Sequence, residues 1–370
     1  MMDIGIVYDP KEPDFRVPLS PGAVSSLTRH NHRVYLLKGA GAASNFADED
    51  YGARGATIVY SSDEVYQRAK LLLKVTAPPI QDISLLNRGS ILIAFLHLAV
   101  ASESYIDELL KNEITAIGFE VIARENGELP LLASTSEVAG QLSIQIAAQY
   151  LQSNLGGRGI LLGGTPGIPP ANVLILGAGS VGRSAAQVAA ALGANVLVLD
   201  RDIAKLRLVE QQLGKRIATG FASIHGLTEW IKTADVFIGA IYVPGGKTPL
   251  MVSEEMVASM RKGSVIIDIS IDQGGCVATS RPTTLINPIY DYKGVIHYCV
   301  PNLTSLVANS ASFVISHVLL PYILEIGEWG DDFLRHMPDL ARGTYTHRGK
   351  IISPVLGRLL GREYSLVEGI

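Results

Sequence analysis

The sequence predicts an α/β protein of two Rossmann-like domains with mainly parallel sheets, the second inserted into a discontinuous first, and three observations predict it. Short apolar runs alternate with helix-like stretches along most of the 370 residues, the pattern of βαβ units whose parallel strands are buried on both faces. A Gly-X-Gly-X-X-Gly string stands between one such run and a helix. A long apolar stretch near the C-terminus reads as a buried helix that returns the chain to the domain it left.

In the first segment the runs are residues 3–8 (DIGIVY), 33–37 (RVYLL), 71–75 (LLLKV) and 91–95 (ILIAF), with helix-like stretches such as 21–30 and 102–112 between them. Residues 136–152 keep Val138, Leu142, Ile146 and Leu151 at a helical period, with Ser136 as the expected N-cap, and are expected to bridge the two domains. The Gly/Pro-rich stretch 156–172 reads as a loop. A strand over 173–176, a turn over 177–182 and a helix over 184–192 follow, and the next strand, 195–199, ends on Asp200. Runs at 236–240 and 265–269 continue the pattern to about Asn302, before an apolar helix over 308–327 and a tail. The domains are expected at 1–135 with 308–370, and at 136–307.

Composition narrows the function. A net charge of −4 offers no field for nucleic acid or an anionic membrane surface. The two cysteines, Cys276 and Cys299, have neither metal-ligand spacing nor a disulfide framework, so no metal and a reducing, cytoplasmic compartment are expected. No basic stretch followed by an apolar one opens the chain as a signal peptide would. The most apolar segment, 313–326, is short for a membrane span and holds His317, Pro321 and Glu325.

The glycine string carries the chemistry. Gly177 permits a tight turn, and Gly179 lets the backbone approach a pyrophosphate alongside Ser180 and Val181. Gly182 lets the helix pack on the strand, and the helix N-terminus offers N–H groups to phosphate. Asp200 stands 18 residues beyond Gly182, where a carboxylate accepts hydrogen bonds from the adenine-ribose 2′-hydroxyl and repels a 2′-phosphate. The cofactor this implies is NAD rather than NADP, with Arg201 as the one neighbour that would favour the phosphate.

Several strings, in order along nearly the whole chain, resemble alanine dehydrogenase and its relative, the NAD-binding subunit of proton-translocating transhydrogenase. They are DFRVPLSP (14–21), LLLKV (71–75), FLHLA (95–99), LPLLA (129–133) and SEVAG (136–140). They continue with GGRGILLGG (156–164), VLILGAGSVG (173–182), DIAKL (202–206), IDISIDQGGC (267–276) and SRPTT (280–284). The resemblance to alanine dehydrogenase implies that Arg16 and Lys74 hold the substrate carboxylate, a guanidinium gripping it bidentately and an ammonium adding a point charge. From the residues alone Arg16 reads as a surface charge, whereas a lysine ending an apolar strand emerges where α/β sites lie.

The resemblance further implies that His97 and Asp272 are an acid/base pair; each follows an apolar run, at a strand's C-terminal end. Asp268, inside its run, competes with Asp272 but suits a supporting role, and Cys276 reads as a small packed residue. Ser136, Lys205, Ile241, Arg281 and Asn302 are implied as further nucleotide contacts. The implied reaction passes the substrate Cα hydride to NAD, adds water to the resulting imine with proton transfers through His97 and Asp272, and releases ammonia and a 2-oxo acid. A homo-oligomer, hexameric by the same resemblance, is implied as well.

The chain departs from the family at two places. A proline-methionine pair before the SEVAG-like helix is here Ser134-Thr135, and Asn302 is followed by LTSLVANS without the family's two prolines and basic residue. Thr135 is expected to line the substrate side chain with less bulk and more polarity than methionine, shifting preference from alanine towards serine or 2-aminobutyrate. Two other readings stay open at this point: reductive amination with an amine other than ammonia, giving an opine-like product, and a non-catalytic NAD-binding module.

Overall fold

The apolar runs become strands: β1 (Asp3–Ile6), β2 (Arg33–Leu37), β3 (Thr57–Val59), β4 (Leu71–Thr76), β5 (Ile91–Phe95) and β6 (Thr115–Gly118). After the long helix Pro130–Tyr150 come β7 (Asn172–Leu176), β8 (Asn195–Asp200), β9 (Ala218–Phe221), β10 (Val236–Gly239), β11 (Val265–Asp268), β12 (Ile289–Tyr292) and β13 (Val295–Tyr298). A second long helix, Ala308–Trp329, precedes β14 (Thr344–His347) and β15 (Lys350–Ile351). The computed structural model describes residues 1–10 and 14–366; residues 11–13 and 367–370 of the predicted first domain lie outside them. Two compact units result, residues 1–135 with 244–246 and 305–370, and residues 136–243 with 247–304.

Each unit holds one sheet. The first runs β15-β14-β6-β5-β4-β1-β2-β3 and the second β12-β13-β11-β10-β7-β8-β9. All neighbours are parallel except β14 on β6, β15 on β14 and β12 on β13. Without those additions both sheets repeat one doubly wound order, reversing direction between β1 and β4 in the first unit and between β7 and β10 in the second. Outside the carboxyl ends of the strands, such a reversal opens the crevice where ligands bind.

Burial explains why the strands read as unbroken apolar runs. In β4, Leu71, Leu73 and Val75 join one core cluster and Leu72 joins the cluster on the opposite face. In β5, Ile91, Ile93 and Phe95 alternate in the same way with Leu92 and Ala94. The helix Ala308–Trp329 covers one of these faces with Ile315, Leu319, Ile323 and Ile326. His317, Pro321 and Glu325 sit on its exposed side. The helical run Leu303–His336 is longer than the sequence suggested and, by length and composition, sufficient to cross a membrane. Half of its most apolar window is buried inside the protein.

Three expectations need correction. Ser136 is no N-cap, because the helix already begins at Pro130, a residue suited to a first turn whose N–H groups have no helical acceptor. The helix after the glycine turn begins at Ser180 and not at 184, so Val181 and Gly182 lie within its first turn. The C-terminal tail contains the hairpin β14–β15, whose two-residue turn, Arg348-Gly349, has both φ angles positive, at 47° and 76°. An arginine in the left-handed region gives no turn signal in sequence.

Candidate active site and nucleotide cradle

In the first unit the charged residues gather at the β1/β4 reversal. The loop leaving β1 and the end of β4 enclose a small cavity lined by Tyr8, Asp9, Asp14, Arg16, Lys74 and Thr76. Arg16 is 5% exposed and Lys74 3%, so Arg16 is no surface charge. Asp14 explains how it is buried: Arg16 donates from Nε to Oδ1 at 2.9 Å and from Nη2 to Oδ2 at 2.6 Å. A paired guanidinium avoids most of the penalty of an isolated buried charge. Burial alone would raise the Asp14 carboxyl, but the charge and hydrogen bonds of Arg16, with Lys74 behind them, hold it below its ordinary value. The Nε–Nη2 edge of Arg16 is thereby engaged by Asp14. Lys74 Nζ donates to Thr76 Oγ1 at 3.1 Å. Arg16 and Lys74 bring two cationic side chains to one cavity that Asp9 and Asp14 also line, and a carboxylate ligand would draw on those two cations.

His97 stands two residues beyond β5. Its ring stacks on Phe95 at 6.0 Å between centroids, and the Arg16 guanidinium lies 5.7 Å from the same Phe95 ring. Phe95 is therefore the common neighbour of the carboxylate-binding and acid/base candidates. His97 adopts φ 45°, rare for a non-glycine residue, and its Nδ1 is buried with no hydrogen-bond partner among the described residues. Glu120, which the sequence reading passed over, is 1% exposed and accepts from the Leu96 and His97 N–H groups and from the Tyr345 hydroxyl. Thr135 is buried, but its hydroxyl bonds back to the Leu131 carbonyl at 3.1 Å. It therefore adds less polarity than expected.

The second unit builds its reversal from backbone. Gly177 has φ 114°, and a Cβ there would run into the Ala240 carbonyl after β10. A Cβ on Gly182 would strike the Gly177 carbonyl, whereas nothing lies within 4 Å of a Cβ built at Gly179. The loop is thus tight against the protein at its ends and open in its middle, a cradle that fits a pyrophosphate at the N-terminus of the helix Ser180–Ala191. Asp200, the last residue of β8, accepts from Ala178 N at 2.7 Å and from Asp202 N at 2.8 Å. Those bonds hold its carboxylate beside the cradle and leave it lone pairs for a ribose hydroxyl.

Around this loop the structure gathers some expected residues and separates others. Ile241 is gripped by Ser270, whose hydroxyl accepts from its N–H at 3.0 Å and donates to its carbonyl at 2.8 Å. Gln273 does the same for Val243; both residues lie in the IDISIDQGGC string, whose reading gave neither of them a role. Asp272 lies in the 3₁₀ turn Ile269–Gln273 after β11 and accepts from the N–H of Asn302, which has φ 56°. Asp268 accepts from the Ser270, Cys276 and Val277 N–H groups. Burial outweighs these bonds and raises its carboxyl, and Cys276 is buried with its thiol raised well above the ordinary value by burial and by Asp268. Both suit support and not attack. Lys205 and Arg281 are exposed, Arg281 lying 4.4 Å over the Tyr290 ring, and Ser136 is half-buried inside its helix.

Comparison with known proteins finds matches along almost the whole chain. Residues 5–139 match the model of the alanine dehydrogenase/PNT N-terminal domain and residues 143–354 that of the C-terminal domain. The alanine dehydrogenase of Mycobacterium tuberculosis is 42% identical over 361 residues, covering 97% of each chain. A solved L-alanine dehydrogenase superposes with a TM-score of 0.89 at 37% identity, covering 97% of this chain and 99% of the other. A transhydrogenase from Sinorhizobium meliloti shares the fold at a TM-score of 0.77 and 24% identity, covering 95% and 99%.

Proposed function

Since the chain belongs to the alanine dehydrogenase/PNT family, we propose that it interconverts L-alanine, or a similar small amino acid, with its 2-oxo acid and ammonia, using NAD. The observation that carries the reading is the pairing of buried Arg16 and Lys74 around one cavity at the β1/β4 reversal. A purely nucleotide-binding role leaves that costly charge set without a use. The residues that would hold NAD are the loop of Gly177, Gly179, Ser180, Val181 and Gly182, with Asp200 on the ribose and Ile241 beside the loop. When bound, the cofactor exchanges hydride with the substrate Cα.

The protein's own part is orientation and proton movement. Lys74 and Arg16 fix the substrate carboxylate, and Phe95 carries His97 on its ring close to that anchor. The imidazole gives or takes the proton as water adds to the imine or leaves it; Asp272 takes the second proton transfer. Ser136, Lys205, Arg281 and Asn302 remain proposed cofactor contacts, and Thr135 a wall for the substrate side chain. The reading makes the protein a cytoplasmic homo-oligomer, hexameric as the resemblance implies.

The test is NADH oxidation with a panel of 2-oxo acids and ammonium, and with pyruvate and other amines. Turnover with pyruvate and ammonium, and little with NADPH, is the expected result. Turnover only with other amines, or none with any pair, overturns it.

A further inference from the structure

We infer that Glu120 and Tyr345 are positioning residues that set the catalytic imidazole through its backbone. The inference rests on the reading of His97 as the acid/base. Histidines in active sites are commonly oriented by a hydrogen bond to the ring nitrogen that does no chemistry. Here Nδ1 of His97 is buried and has no such partner among the described residues, whereas the main chain of His97 is held by a side chain.

The holding group is a carboxylate behind the main chain. Glu120 lies in the 3₁₀ turn Phe119–Val121, directly after β6 and next to β5 in the sheet. Its Oε1 accepts from His97 N at 2.8 Å and its Oε2 from Leu96 N at 3.2 Å. Two successive N–H groups aimed at one carboxylate hold the turn in the left-handed conformation, φ 45°, that His97 adopts against its own preference. Tyr345, from β14 on the far side of β6, donates its hydroxyl to Oε1 at 2.8 Å. With the backbone fixed, stacking on Phe95 fixes the ring plane. The C-terminal hairpin thus reaches the site through one buried carboxylate.

The experiment is steady-state kinetics and melting of the full-length protein for Glu120→Gln, Tyr345→Phe, His97→Ala and the double variant Glu120→Gln/His97→Ala. Gln keeps the shape but presents an amide donor to one of the two N–H groups; Phe keeps the packing and removes one bond. Expected are a fall in kcat of roughly tenfold or more for Glu120→Gln and about threefold for Tyr345→Phe, with the KM values for amino acid and NAD within about twofold. Because Glu120 acts through His97, the double variant should be no slower than His97→Ala alone. Effects that multiply, a wild-type kcat for Glu120→Gln, or losses appearing in KM alone overturn the inference. If Glu120→Gln melts far below the wild type, Tyr345→Phe and its own double variant with His97→Ala carry the same comparison. Full activity in His97→Ala would instead overturn the acid/base reading on which the inference stands.

Discussion

On the proposed function, the two reversals of strand order answer the same demand, the holding of an anion, with different materials. At β7/β10 the second unit presents backbone: a glycine loop and the first turn of the helix Ser180–Ala191, whose N–H groups are uncharged and need no counter-ion. At β1/β4 the first unit presents buried ionised side chains, Arg16 and Lys74, and must bury Asp14 with them. The backbone solution depends on a few glycines adjacent in sequence and tolerates its surroundings. The side-chain solution concentrates charge on a small ligand but makes the fold and the site depend on the same ion pair.

The comparison is most exposed at Asp14. Removing one partner of a buried pair costs about 3–5 kcal/mol, so Asp14→Asn should lower stability at neutral pH by that order. The folded carboxyl lies below its ordinary 3.8. Its contribution is therefore complete above that value and is lost as the pH falls through the folded one. Wild type and variant should converge in denaturant melts as the pH falls below the folded value. Equal stability at pH 7 would mean that the first unit does not depend on the pair.

Next in size is chemistry. His97→Ala and Asp272→Asn should each reduce turnover by at least about a hundredfold, the scale of lost general acid–base catalysis, while melting temperature and NAD affinity change little. Fully active variants would remove both residues from the mechanism.

Asp200→Gly probes the backbone solution. It removes a charge-assisted bond of about 1.5–3 kcal/mol, which should weaken NAD by roughly ten- to a hundredfold and narrow the gap to NADP without lowering stability to the extent of Asp14→Asn. Titration of both cofactors reads this, and a wild type that prefers NADP would break the assignment.

The smallest effect is expected at Thr135. Its hydroxyl is spent on the Leu131 carbonyl, so size is the main difference from methionine. Pockets discriminate a methylene by only about 1–3 kcal/mol. Thr135→Met should move kcat/KM towards alanine, relative to serine and 2-aminobutyrate, by about tenfold or less. A wild type that already favours alanine by more than about a hundredfold would show the departure to be neutral.

Much of this was legible because it is local. Apolar alternation located β2 and β5 to the residue, and the glycine spacing with Asp200 located the cradle. The antiparallel edges were not legible. β14 and β15 are short, and their turn places Arg348 where asparagine or glycine would have announced it. Ser136 misled because a serine before a periodic run has the same appearance whether it caps a helix or lies inside one that Pro130 began. At Thr135 the hydroxyl's bond back to the Leu131 carbonyl cannot be seen in a one-dimensional pattern.

By itself the sequence determined the alternation, the glycine cradle, the acid at the end of β8 and the apolar helix near the C-terminus. Each is set by short-range sterics, hydrogen bonding or periodic burial among neighbours in the chain. Only the tertiary structure decided that Arg16, more than fifty residues from Lys74, shares a buried cavity with it and is partnered by Asp14. It also decided that Glu120 and Tyr345, 225 residues apart, meet behind His97. Long-range pairing of charges is dictated by strand order: the doubly wound order brings β4 against β1 and the antiparallel addition brings β14 against β6, for reasons of burial that no single segment carries.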